Sequence, residues 1–227
     1  ARRGNRRLLY DVNNRGNKLA LWPFNGGPMT NNPSTLEHAG NGFLMREGYS
    51  VLWCGWNGEV MEDGQQRLLV GLPDAREHGQ PITGRAHLEI STTEQVFSRA
   101  FSWSPWGISA AFPAVSLDHR QATLTMRPRR TAPAVEIAHA GWAFGRWEEG
   151  RLIPDPTHVY VKEGLRPGWL YDLVYTAKEP RVTGLGLAAL RDCVSFFRHA
   201  RRDKAGVANP LAEGVERAYV FGISQSG

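Results

Sequence analysis

The residues best suited to chemistry sit at the C-terminal end of the chain. An apolar, β-rich run, Ala218-Tyr219-Val220-Phe221, leads into Gly222-Ile223-Ser224-Gln225-Ser226-Gly227. A buried strand, a sharp turn with serine at its tip and a following helix form a nucleophile elbow. The turn needs small residues on both sides of the serine. Gly222 supplies one, and Ser226 stands where glycine is usual. Such a turn holds its serine in a strained backbone conformation that lifts the hydroxyl clear of the sheet. The N–H of Gln225 then faces the oxyanion of a tetrahedral intermediate. Read without chemistry, the same hexamer is a strand ending in a polar turn.

A second oxyanion donor has to come from beside another strand end. Arg7 to Val12 is a short apolar run bounded by turn residues, as expected of a strand covered on both faces. It runs into Asn13-Asn14-Arg15-Gly16-Asn17. The backbone of Asn13, Asn14, Arg15 and Gly16 is the natural source of that donor, although an ordinary turn reads the same way.

These candidates need a scaffold. Ser34 to Glu47 offers a helix interrupted at Gly40-Asn41-Gly42, with Gly48 as its left-handed stop. Tyr49 to Trp56 reads as a second buried strand. Strand, loop, helix and strand form the repeating unit of an α/β protein with parallel strands. From Asn57 to about Gly168 helical periodicity fades. Short β-type runs appear at 67–72, 82–90, 121–126 and 158–161, and Thr83 to Ile90 alternates. The block 57–168 is therefore expected to be a β-rich insertion or lid. Its aromatic stretch, Phe101 to Trp106, either lines a pocket or forms the insertion's own core. Trp169 to Tyr175 is another strand-like run. Gly184 to about Arg198 is a helix, with Thr183 as N-cap and Leu187, Leu190, Val194 and Phe197 in one stripe.

Composition bounds the alternatives. The 227 residues suit a core of ordinary size, and the net charge of +5 is mildly basic. The arginine clusters at 127–130 and 198–202 lack the interleaved aromatics of a nucleic-acid surface, so no nucleic-acid partner is expected. No apolar run is long enough to span a membrane. Cys54 and Cys193 form neither a metal pattern nor a disulfide framework. No metal or other cofactor is expected. Gly184-Leu185-Gly186-Leu187-Ala188-Ala189 matches G-x-G-x-x-A. However, the residues from Thr176 to Thr183 separate it from the preceding strand, and no acidic residue ends a strand about twenty positions on. Asp74 with His78 is an isolated spacing match, and Glu148 with Glu149 splay apart.

Together these segments resemble the α/β-hydrolase superfamily, and more narrowly the bacterial "alpha/beta hydrolase domain" proteins. The matching stretches are 9–16, 40–49, 171–186 and 221–227, so the resemblance runs over nearly the whole chain. It implies an α/β fold with a mostly parallel sheet, of which strands three to five are present. The core would be 1–56 and 169–227, carrying the 57–168 insertion. It implies that Ser224 is the nucleophile of an ester-cleaving triad acting on a small-molecule ester.

The pattern departs from that family in one respect. There the order is serine, acid, histidine, whereas His38, His78, His87, His119, His139, His158 and His199 all precede Ser224. Asp118 beside His119 cannot supply the pair, because neighbours on a strand face opposite ways. Both ends of the chain fall in core-type runs, which is expected of an internal piece of a longer protein. The acid and the histidine are then expected from the remainder of the hydrolase polypeptide, and this segment alone should turn over little ester. Two other classes stay open: a non-catalytic hydrolase-like scaffold that binds through the insertion, and a nucleotide-dependent enzyme using Gly184 to Ala189. Compartment is left open.

Overall fold

The computed structural model describes residues 7–13, 42–55, 58–61, 69–103 and 109–222; at 8–13, 45, 53 and 55 only the backbone is described. The chain divides into two compact units, one made of 1–71 and 183–227, the other of Leu72–Val182.

In the first unit, β1 (Arg7–Asn13) lies between β12 (Arg217–Gly222) and β2 (Tyr49–Gly55), all three parallel. The one-turn helix α1 (Phe43–Arg46) precedes β2. It stops at Gly48, whose φ of 72° is a conformation that glycine adopts freely. Leu44 is buried against Tyr49, Val51 and Phe221. Helix α2 (Gly186–His199) has no buried residue, and Leu187, at the head of its apolar stripe, is 83 % exposed. Its N-cap is Leu185 rather than Thr183, with no side-chain cap. A Cβ at Gly184 or Gly186 would meet nothing. Gly184 is explained instead by its φ of 90°.

The second unit is antiparallel throughout. One sheet has the order β5 (Thr83–Ile90), β11 (Leu170–Lys178), β7 (Thr123–Arg127), β8 (Val135–Glu136). Another has β6 (Val96–Ala100), β10 (Arg151–Leu165), β9 (Trp142–Glu148). A short ribbon pairs β3 (Arg76–Glu77) with β4 (Gln80–Pro81). Along β11, burial alternates without a break: Tyr171, Leu173, Tyr175 and Ala177 point inward. They share one core with Leu88, Leu124, Phe101, Trp142, Phe144, Val159 and Val161. Phe144 of β9 meets Tyr175 of β11 edge to face at 6.1 Å, which joins the two sheets. The β9–β10 hairpin turns on Glu149 and Gly150, with φ of 48° and 78°. A two-residue turn with both φ positive matches the twist of the strands it joins.

These pairings correct the expected fold. Nine of the twelve described strands, β3 to β11, are antiparallel, and α2 is the single described helix longer than one turn. The chain is β-rich, not an α/β protein built on a mostly parallel sheet, and the resemblance to α/β-hydrolases is overturned with it. The physical reason lies in β11. Its outward residues include Leu170 and Val174, so its period of two is masked and nothing local marks the run as a member of an antiparallel sheet. In fact, β11 pairs antiparallel with β5 and β7 in the second unit.

Candidate functional site

Ser224 and Gln225 lie outside the described residues, as do Asn14, Arg15 and Gly16. The backbone on which they follow is described. Val12 pairs with Gly222 and Asn13 with Gly55, so three parallel strands end along one edge. Ser224 is the second residue after Gly222, and Asn14 directly follows Asn13. In parallel sheets, ligands bind beyond the carboxyl ends of the strands, where connections from adjacent strands diverge. β1 is the central of the three described strands, so its carboxyl end lies next to that of β12.

Side chains hold the three strands in register at their opposite ends. The Arg7 guanidinium lies 3.5 Å from the Glu47 carboxylate and 5.5 Å from the centre of the Tyr49 ring. Tyr49 in turn meets Tyr219 of β12 at 5.8 Å.

The histidines of the second unit are placed in ways the sequence does not single out. His87 of β5 faces Asp172 of β11, with Nε2 2.8 Å from Oδ1. The other oxygen of Asp172 accepts from Arg127 Nη2 at 2.9 Å. Glu89 and Arg130 extend this cluster across the outer face of the sheet. The alternation of β5 could have placed His87 and Glu89 on one face, but nothing local identifies Asp172 as their neighbour.

In β10, His158 Nδ1 lies 3.2 Å from Asp155 Oδ2 and 3.0 Å from Thr157 Oγ1. Burial pushes the Asp155 carboxyl up. The Thr157 hydroxyl and N–H, with the His158 imidazole, outweigh it and leave the group below its ordinary value.

His119 and Asp118 do not pair. The Asp118 carboxylate binds the Arg120 guanidinium, which holds its pKa at about 2. The His119 ring packs 4.5 Å from that of Trp142, and its Nε2 lies 3.2 Å from the His139 carbonyl oxygen. Asp74 pairs with Arg181 at 2.7 Å, not with His78.

A cavity of about 560 Å³ opens beside the 115–122 loop, lined by Asp118, Arg120, Gln121, Phe144, Tyr175 and Thr176 among others. Phe101 belongs to the core rather than to a pocket wall, and residues 104–108 lie outside the described set. The Tyr175 hydroxyl donates to the Phe112 carbonyl at 2.6 Å, and burial raises its pKa well above the ordinary phenol value.

Strand β11 ends at Lys178 and α2 begins at Gly186. Gly184 and Gly186 therefore do not form the tight turn straight after a strand that pyrophosphate binding needs. Among the described residues, no group of three or more His, Cys, Asp or Glu side chains is arranged to hold a metal ion. No described helix is long and apolar enough to cross a membrane. No family model matches the chain, and comparison with curated proteins and with solved structures gave no match.

Proposed function

We propose that the chain carries the nucleophile of a serine hydrolase acting on carboxylic esters. Ser224 attacks the ester carbonyl. The oxyanion is held by the Gln225 N–H and by one N–H from the Asn13 to Gly16 run. Loss of the alcohol leaves an acyl-enzyme, which water then hydrolyses. In this reading Ser224 is activated by a histidine and an acid, without which a serine hydroxyl is a weak nucleophile.

One observation supports this reading above the others: the parallel register of β1 and β12. The G-x-S-x-S run and the Asn13-to-Gly16 run leave adjacent strands at one edge. A serine after β12 and backbone donors after β1 are the two halves that acyl transfer requires. The test is an activity-based fluorophosphonate probe on the complete polypeptide. Labelling that disappears in Ser224→Ala is the expected result; a folded, complete protein that takes no label overturns the proposal.

A second reading, a non-catalytic binding scaffold, is favoured by the cavity beside the 115–122 loop. Its volume is within the range of small-molecule pockets. Saturable binding of a small molecule to a protein that the probe does not label is the outcome that selects it.

A further inference from the structure

We propose that His158 is a nucleophilic imidazole on the outer face of the β6-β10-β9 sheet, placed to accept the acyl group of an aromatic ester at Nε2. The proposal is independent of Ser224.

It begins with an irregularity. Pro154 of β10 faces Gly145 of β9, and the next paired residue, Val159, faces Phe144. Residues 155–158 are therefore extra on β10. Bulges of this kind re-aim side chains and recur beside active sites.

Inside the bulge, hydrogen bonds set the tautomer. The Thr157 N–H and hydroxyl donate to Asp155 Oδ1 at 2.8 and 2.5 Å. With its proton so committed, the Thr157 hydroxyl can only accept from His158 Nδ1, which also faces Asp155 Oδ2. The ring proton therefore sits on Nδ1, and the lone pair is left on Nε2. Nε2 has no hydrogen-bond partner among the described residues, and the side chain is 27 % exposed. Thr157 itself is excluded as nucleophile, since it and Asp155 engage the same ring nitrogen. Arg146 Nε lies 3.4 Å from Asp155 Oδ2 and favours the charged carboxylate.

The surroundings select the substrate class. Val159 is fully buried, so His158 and Tyr160 on either side of it share the outer face. Tyr160 stacks on Trp147 with ring centres 5.3 Å apart, and Trp147 meets Phe97 at 5.5 Å. Phe97 is 40 % exposed. An imidazole beside this aromatic row suits an aryl ester.

In the reaction, the Nε2 lone pair adds to the ester carbonyl carbon. Collapse of the adduct expels the aryloxide with the electrons of the C–O bond. The charge of the acyl-imidazolium is matched by Asp155, to which Nδ1–H points. Water then adds to the acyl carbon, the C–N bond breaks back to Nε2, and the proton released goes to the aryloxide. The products are a carboxylic acid and a phenol.

The test uses p-nitrophenyl acetate on the complete polypeptide carrying Ser224→Ala, which removes acylation at that serine. An acetyl group on His158, located by mass spectrometry, is the expected result, with p-nitrophenol release lost when His158→Gln is added. Diethylpyrocarbonate should modify His158 faster than His87. Thr157→Val, which leaves Asp155 in place, should slow that reaction about ten-fold, the lower end of what loss of an orienting partner costs at metal-bound histidines. Acetylation elsewhere with His158 bare, or equal rates at His158 and His87, overturns the proposal. A bulge that is merely stapled by Asp155 predicts both of those outcomes.

Discussion

Val12 of β1 stands opposite Gly222 of β12 in parallel register, so the two strands run out side by side. Everything proposed for Ser224 depends on that pairing. If the two strands were antiparallel, the serine run and the Asn13 run would leave opposite ends of the sheet. Parallel strands cannot be joined by a tight hairpin, and here the chain between β1 and β12 includes the whole of the second unit.

Leu44 secures that edge. It is 3 % exposed and packs with Tyr49, Val51 and Phe221, the last of these one residue before Gly222. Leu44→Ala should destabilise the first unit by about 2–3 kcal/mol, the usual cost of truncating a buried leucine. Chemical denaturation followed on the complete polypeptide should show the transition of the first unit shifted and that of the second unchanged. Fluorophosphonate labelling at Ser224 should weaken in parallel.

Gly145 is present because β10 crowds it. A Cβ there would lie 2.6 Å from Leu152 Cδ1 and 2.9 Å from the Ile153 carbonyl oxygen. The side chain can rotate away, but the carbonyl is backbone and cannot. Gly145→Ala should cost about 1–3 kcal/mol, as overpacking does, and a lowered Tm of the second unit checks it.

Asp155 makes the second unit acid-sensitive. Its carboxyl is held below the ordinary value in the folded protein, so the unfolded chain binds its proton first as pH falls. The stabilisation is complete above the ordinary value near 4 and is lost as pH drops through the folded one. Asp155→Asn should flatten the dependence of stability on pH below about 4, measured by urea denaturation across that range.

Tyr175 has the opposite sign at the alkaline end. Burial raises its pKa, so above about 10 the unfolded chain loses the phenol proton while the folded protein keeps it. Stability then falls as pH rises. Tyr175→Phe should remove that alkaline loss. At neutral pH it should cost about 1–2 kcal/mol, because the Phe112 carbonyl loses its donor.

Local pattern carried a good part of the fold. The runs at 7–12 and 49–56, the alternation of 83–90, the stop at Gly48 and a helix near 186–199 are all legible from residue types within a few positions. The error arose where a local pattern had to stand for a partner. Val174 on the outer face of β11 is apolar, so the run shows no clean alternation, whereas its neighbours β5 and β7 leave that face to Asp172, His87 and Arg127. The G-x-S-x-S run was legible as chemistry but not as geometry, since a hexamer does not specify the strand beside it. The contacts within Asp155-Pro156-Thr157-His158 span at most three positions, but that the run stands out of register with β9 is decided only by the strand pairing.

The sequence by itself determined which residues could react and which stretches had to be extended, because hydroxyl chemistry, glycine conformations and the two-residue period act within a few positions. Tertiary structure alone decided which strands are neighbours and in which direction they run, and so that the chain is β-rich, that Val12 meets Gly222, and that Asp172 faces His87 from 85 positions away. Hydrogen bonding between strands depends on partners distant in the chain, and no local pattern records them.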